Sequence, residues 1–244
     1  MAVCPGYRDQ VAMNQYLSLM TAALLISGCA SGPPAPEWQS QAFTALESYT
    51  SAYLNGSSRV ADLEFARAKV EIARTGRPDL MARIELLRCA TQVASLELAP
   101  CAGYQALAGD APLAEQAYAS FISGKWIGIE ATRLPLQYQG LVRRTQASAE
   151  KNDGSAAVTT TPNHGELSQI QDPLARLVAA GSLIQREPLS TADIDLMVET
   201  ASSQGWRRPL LAWLGVQLKH HQTAGNAAAA AAIQRRIDLV LQKN

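Results

Sequence analysis

Residues 78–98, PDLMARIELLRCATQVASLEL, carry the clearest amphipathic pattern in the chain. Apolar or small side chains recur there with a 4-3-4-3-4 spacing, at Leu80, Ile84, Leu87, Thr91, Ala94 and Leu98. This spacing places them along one face of an α-helix. Pro78 suits the first turn of that helix, and Asp79 lies at the positive end of its dipole. The stretch therefore predicts a helix over residues 78–98 with one face directed at a core.

Helical patterns continue on both sides of this stretch. Before it, helices are predicted over residues 37–54 and 58–75, because glycines that suit a helix C-terminus follow each of them. After it, the patterns predict a short turn or helix at 103–108, a helix at 112–122, a segment at 127–144 interrupted by Pro135, and helices at 167–186, 191–204, 209–222 and 227–242. Ser190 to Asp193 resembles a capping box at the start of one of them.

Composition agrees with an all-α fold. Hydrophobic residues make up 48% of the 244 residues, but aromatic residues only 6%, which favours packed helices over a β-sandwich. We expect antiparallel helix pairs, packed as a bundle or as a short α-solenoid. The polar stretch 147–166 is predicted to be a flexible linker between two helical subdomains, 37–146 and 167–244.

The charge balance excludes one class of partner. Twenty-one basic and 21 acidic residues give a formal net charge of zero. A neutral chain has no electrostatic footprint for nucleic acid and no polybasic surface for anionic lipid. No nucleic-acid partner is therefore predicted.

The N-terminal segment combines a largely apolar run, residues 17–26, with the small residues Ser27 and Gly28 directly before Cys29. The run is too short to cross a bilayer, which needs about 20 apolar residues. Small residues before a cleavage point are typical of secretory signals. The sequence Ile26-Ser27-Gly28-Cys29 resembles the lipobox of bacterial lipoproteins.

This resemblance implies a cellular compartment and a lipid anchor. Residues 1–28 would be a cleaved signal peptide, with Met13 as the true start, and Cys29 would carry the lipid as the first mature residue. Two or three acyl chains make a stable anchor. Residues 29–36 are rich in Pro, Gly and Ser and would form an extended tether. Ala30 follows the cysteine where Asp often retains such proteins at the inner membrane, so the resemblance implies the outer membrane, facing the periplasm.

Cys89 and Cys101 are disulfide candidates in an oxidising compartment. Geometry sets a condition on the bond. In a helix that continued to Leu98, Cys89 would lie about 13 Å back along the axis. The three residues from Leu98 to Cys101 span only about 10 Å when extended. The disulfide therefore requires the helix to end or bend near Ser95, and two separately buried thiols are the alternative.

No motif with a catalytic or cofactor-binding mechanism is present, so neither a cofactor nor a metal ion is predicted. Adjacent residues on a helix point about 100° apart, so His220 and His221 cannot bind one metal ion from the same face. His164 lies in the predicted linker. The residues expected to matter for recognition are aromatic, because aromatic side chains are enriched at binding hot spots, and they are Trp126, Trp206 and Trp213, with Tyr118 and Tyr138.

The C-terminal helix pair, joined by Gly225-Asn226, resembles a degenerate tetratricopeptide hairpin over about 35 residues. Together with the lipobox, it predicts a non-enzymatic lipoprotein that acts as a helical scaffold or adaptor for envelope proteins. Two alternatives remain open. One is a hydrolase or ligand carrier for peptidoglycan or lipid, recognisable by a deep pocket where carboxylates or His164 converge. The other is a structural envelope protein with no discrete ligand.

Overall fold

The helices and their boundaries follow the local chemistry of the chain. The structure is a computed structural model, and it describes residues 36–151 and 164–242. Over these residues it contains eleven α-helices, one 3-10 helix and no strand, which confirms the predicted all-α class. The elements are α1 (Glu37–Leu54), α2 (Ser58–Ala73), α3 (Pro78–Ala94), α4 (Ala102–Gln105), α5 (Leu113–Ile122), the 3-10 helix (Ala131–Arg133), α6 (Leu136–Lys151), α7 (His164–Gln169), α8 (Pro173–Leu183), α9 (Thr191–Ser203), α10 (Arg207–Thr223) and α11 (Ala227–Leu241).

Successive helices form packed pairs. Helix α1 packs along α2, and α10 packs against both α9 and α11. The turn between α2 and α3 requires Gly76, which has a φ of 62°, and the turn between α10 and α11 requires Gly225, with a φ of 71°. Only glycine adopts these angles without steric cost. At the predicted capping box, Ser190 caps α9, since its hydroxyl accepts a hydrogen bond from the Asp193 amide at 3.1 Å.

Helix α3 is buried on two sides and not on one. Ile84 belongs to a smaller core with α1 and α2, and partly buried side chains of α3 pack against it. The adjacent side of α3 enters the larger core, which is formed with α5, α6 and α8 to α11, through Ala82, Leu86, Cys89, Ala90, Val93 and Ala94. A helix that is apolar over most of its circumference is an interior helix. Residues 78–94 thus supply the central helix of the fold.

The end of α3 differs from the predicted end. The helix stops at Ala94, and Leu96 adopts a left-handed conformation with a φ of 58°. The Glu97 amide donates to the Gln92 carbonyl at 3.0 Å, as in a Schellman motif. Leu98 therefore lies beyond the helix and is exposed.

This early stop meets the geometric condition for the disulfide. Cys89 and Cys101 are bonded, with their Cα atoms 5.8 Å apart. Closing a loop of this length stabilises the folded chain by about 3 kcal/mol. The left-handed conformation of Leu96 costs about 1–2 kcal/mol. The disulfide is thus strong enough to offset the strain of the turn that permits it.

The predicted helix over residues 167–186 is wrong in one respect. The structure has two helices there, α7 and α8, which are separated by residues 170–172, and α8 begins at Pro173. Proline lacks an amide hydrogen and disfavours helical angles in the residue before it. Asp172 instead caps α8, and its carboxylate accepts a hydrogen bond from the Ala175 amide at 2.6 Å.

The structure also corrects the division into two helical subdomains. Residues from both 37–146 and 167–244 enter the larger core, and the chain after Pro36 forms one compact unit, Glu37–Asn244. The Trp213 indole donates to the Ala94 carbonyl at 3.1 Å and so ties α10 to α3. Glu166, which the sequence placed in the linker, is buried and forms an ion pair with Arg144 of α6.

Both ends of the stretch predicted as a linker, 147–166, are helical. Residues 147–151 continue α6, and residues 164–166 begin α7, which leaves 152–163 outside the described residues. The predicted signal peptide at 1–28 and tether residues 29–35, with Cys29, also lie outside them. None of the helices within the described residues combines the length and hydrophobicity needed to span a membrane.

The contact between α3 and α8 depends on Gly181. A Cβ atom at this position would clash with the backbone carbonyl of Val93, which cannot move away without shifting α3. We predict that Gly181→Ala lowers the free energy of unfolding by about 1–3 kcal/mol, the usual range for overpacking. Urea denaturation followed by circular dichroism measures this change.

Gly215 provides the matched control, because it lies within α10 and no atom lies within 4 Å of a Cβ placed there. Gly215→Ala should stabilise the chain by about 0.5–1 kcal/mol, since alanine is the better helix former. Equal effects of the two substitutions would show that the helices do not approach closely at Gly181.

Candidate functional site

A cavity of about 600 Å³ lies between α3, α5, the start of α6 and the start of α8. We call it the central groove. Its floor is apolar because each of these helices turns part of its hydrophobic face toward it. The apolar lining comprises Leu86, Leu87, Ala90, Ala114, Leu134, Pro135, Leu174, Ala175 and Val178.

Two tyrosines form one wall of the central groove. The rings of Tyr118 on α5 and Tyr138 on α6 are stacked, with centroids 6.0 Å apart. Phe121 supports them from behind, with its centroid 4.6 Å from that of Tyr138. Burial raises the pKa of Tyr118 to about 12 and also raises the pKa of Tyr138. A tyrosine is neutral at physiological pH even at its ordinary pKa near 10, so this wall offers aromatic surface without charge.

Charged side chains at the rim are already engaged within the protein. Both the Nε and the Nη2 atoms of Arg83 contact one carboxylate oxygen of Glu115, at 2.9 and 2.6 Å. The Nε atom of Arg133 contacts the carboxylate of Glu130 at 2.7 Å. The remaining rim carboxylate, Asp172, caps α8. The rim is therefore polar but balanced in charge, so apolar contact dominates what the groove offers to a ligand.

The groove does not assemble an acid–base pair. Two carboxylates line it, Glu115 and Asp172, but the first is paired with Arg83 and the second holds the start of a helix. The side chain of His164 lies outside the described side chains. Over the described residues, no group of three or more His, Cys, Asp or Glu side chains could hold a metal ion. What the described lining provides is a binding surface.

A second, smaller groove adjoins the first. It has a volume of about 370 Å³ and shares the side chain of Leu87 with the central groove. Phe43 on α1, which is 62% exposed, and Trp206 before α10 form its sides. We call it the side groove. Because Leu87 lines both, an apolar surface continues from the central groove across α3 to α1.

Of the three tryptophans expected to take part in recognition, only Trp206 lies in a groove. Trp126 and Trp213 are buried core residues, 1% and 0% exposed, so this expectation is wrong for both. The indole of Trp126 donates to the Phe121 carbonyl and to the Ser182 hydroxyl, each at 2.9 Å. Such buried, fully bonded indoles stabilise the fold and are not available to a partner.

The other sequence candidates have structural roles. Tyr138 is buried while Tyr118 is only partly buried, and their stacking in the groove wall was not predicted, because they lie 20 residues apart on different helices. The histidine pair lies near the end of α10, where the His220 ring is hydrogen-bonded to the Thr191 hydroxyl at 2.8 Å. The spacing of apolar residues predicts which face of a single helix is buried. The central groove was not predicted because it forms only where four helices meet.

Comparison with known proteins finds no matching family model, no similar curated protein and no similar solved structure. The geometry of the two grooves is therefore the basis for proposing a function.

The neutral tyrosines of the groove wall predict a fall in stability at high pH. Unfolded tyrosines ionise near pH 10, whereas Tyr118 in the folded chain ionises only near pH 12. Because the pKa is higher in the folded chain, the contribution of Tyr118 to the free energy of unfolding is fully present below pH 10 and is lost as the pH rises from 10 to 12. Between these two pH values, each such tyrosine lowers the free energy of unfolding by about 1.4 kcal/mol per pH unit.

Tyr118→Phe removes one of these contributions. Urea unfolding at pH 9, 10 and 11 should therefore show a shallower loss of stability in the variant than in the wild type. If the two slopes are equal, or if the absorbance of Tyr118 at 295 nm titrates near pH 10 in the folded chain, the fold does not raise the pKa of this phenol.

Proposed function

We propose that this protein is a lipid-anchored adaptor of the bacterial outer membrane, facing the periplasm, which binds an apolar segment of an envelope protein in the central groove. The lipobox at residues 26–29 supports the anchor and the compartment. The groove supports the binding role, and it is the single observation on which that role depends. The adaptor is not an enzyme.

The shape of the groove favours a helical segment as ligand. Helix-in-groove recognition places the apolar face of an amphipathic helix into a hydrophobic channel between helices. Here Leu87 continues the central groove into the side groove, where Trp206 supplies an aromatic contact of the kind enriched at hot spots. The rim charges are paired within the protein, so a partner needs mainly apolar side chains to bind.

A second candidate is a carrier of a small apolar ligand such as a lipid. Its support is the volume of about 600 Å³, which lies within the 300–1,000 Å³ typical of small-molecule sites. The two candidates differ in the ligand that fills the same groove, so one experiment distinguishes them.

The anchor predicts acylation at Cys29. Cells grown with radioactive palmitate should label the wild-type protein, whereas Cys29→Ser should remain unlabelled and soluble. The domain should still fold, because Cys29 lies outside the compact unit Glu37–Asn244. An unlabelled wild-type protein would contradict the anchor.

The adaptor role predicts a crosslink that depends on the groove. Gln137 is exposed at the rim, so p-benzoylphenylalanine can replace it without disturbing the core. Irradiated cells should yield one discrete adduct with an envelope protein. Ala114→Trp, at an exposed position of the lining, should fill the groove and reduce this adduct at least fivefold.

Ala231→Trp is the matched control, since Ala231 is an exposed alanine of α11 outside the lining of both grooves. It should leave the adduct unchanged. An adduct with phospholipid in place of protein would favour the carrier, and an adduct that survives Ala114→Trp would show that the partner does not occupy the groove.

A further inference from the structure

The outer face of α2 exposes an apolar stripe that the adaptor role does not use. Val60, Leu63 and Val70 are 50%, 63% and 55% exposed. Their positions i, i+3 and i+10 place them on one side of the helix. The opposite side is buried in the smaller core through Ala61, Phe65, Ala68 and Ile72. Helix α2 thus has a buried apolar face and a second apolar stripe directed at solvent.

Arginines flank this stripe. Arg59 and Arg67 lie four residues before and after Leu63, and Arg74 lies four residues after Val70. Residues four apart share a helix face, so these exposed guanidinium groups border the apolar side chains. Glu64 lies four residues after Val60 and borders the stripe as well, whereas Asp62 points about 100° away from Leu63. Counted together with Glu64 and the neighbouring Glu71, the three arginines leave an excess of one positive charge along the stripe.

Two of the three arginines are paired with these glutamates, and Arg59 supplies the excess charge. Glu71 is buried, and its carboxylate contacts Arg74 at 2.8 Å. Glu64 contacts Arg67 at 3.8 Å, but 54% of the arginine side chain stays exposed. A helix face that combines apolar residues with bordering arginines matches the pattern of helices lying at a membrane surface.

The length of chain before the domain permits such a contact. If Cys29 carries the lipid, eight residues separate it from Glu37, and they span at most about 28 Å. Helix α1 begins at that point and packs along α2. Helix α1 has 18 residues and is about 27 Å long, which is similar to the maximum span of the tether. Because α2 lies alongside α1, the tether is long enough for the outer face of α2 to touch the membrane that holds Cys29.

We propose that the outer face of α2 rests on the phospholipid surface to which Cys29 is attached, with Leu63 and Val70 in the interface and the arginines on lipid phosphates. This inference rests on the lipid anchor of the proposed function. The outer face of α2 needs little affinity for lipid of its own, because the lipid on Cys29 already holds the domain beside the bilayer, and the effective concentration of lipid at this face is therefore high. It would orient the domain on the bilayer.

The test uses the chain from Cys29 to Asn244, with p-benzoylphenylalanine in place of Leu63. Cys89 and Cys101 are paired, so Cys29 is the free thiol of this chain and can be coupled to a maleimide lipid. Vesicles contain 70% neutral and 30% anionic phospholipid. Irradiation should give a phospholipid adduct, detected by mass spectrometry.

Leu239 is the matched control, since it is 62% exposed on α11, close to the 63% of Leu63. We expect at least five times more lipid adduct at position 63 than at position 239. Arg59→Gln with Arg67→Gln should reduce the adduct at 63 at least twofold, whereas Arg235→Gln with Arg236→Gln, also exposed, should not.

Equal adduct at positions 63 and 239 would overturn the proposal. A protein–protein adduct at position 63 would do so as well, and would assign the stripe to a second copy of the chain. If the first labelled protein does not fold by circular dichroism, the same measurement at Val70, which is 55% exposed, decides the question. Because the lipid is attached chemically, the result is independent of acylation in cells and of the central groove.

Discussion

The close contact of α3 with α8 is the constraint on which the rest of the structure depends. Gly181 brings the backbone of α8 against that of α3 at Val93, and no larger residue fits there. The next residue, Ser182, is buried and hydrogen-bonded both to the Phe121 carbonyl and to the Trp126 indole. A single turn of α8 therefore fixes the position of α5 as well as that of α3. These helices, with α6, are the walls of the central groove.

The sequence predicted the helices better than their assembly. Turn glycines such as Gly76 and the cap at Ser190 act locally, so the pattern identified most helix boundaries. The stripe from Leu80 to Leu98 predicted a helix with one buried face, but α3 is buried on two sides because it separates two cores. Spacing within one helix cannot show how many neighbours surround it. The same limit explains why the polar stretch 147–166 suggested two subdomains where one core exists.

The candidate site was accessible to sequence reasoning only in part. Trp206 lines the side groove, whereas Trp126 and Trp213 are core residues that look the same in sequence. A signal was present, because Leu210 lies three residues before Trp213 and Val216 three residues after it, a spacing that indicates one apolar helix face. The central groove gave no such signal. Its lining comes from four helices, and Leu87 joins it to the side groove only in three dimensions.

The two proposed surfaces differ in the force that drives binding. At the rim of the central groove, Arg83 and Arg133 are each paired with a glutamate, so added salt has little charge to screen there. On the outer face of α2, Arg59 adds one positive charge beyond the pairs Arg67–Glu64 and Arg74–Glu71, and salt would weaken the attraction of this excess charge to lipid phosphates. Ionic strength would therefore loosen the domain from the membrane without releasing a partner from the groove. An adaptor that binds its partner by apolar contact and the bilayer partly by charge keeps its partner while the orientation of the domain on the bilayer changes.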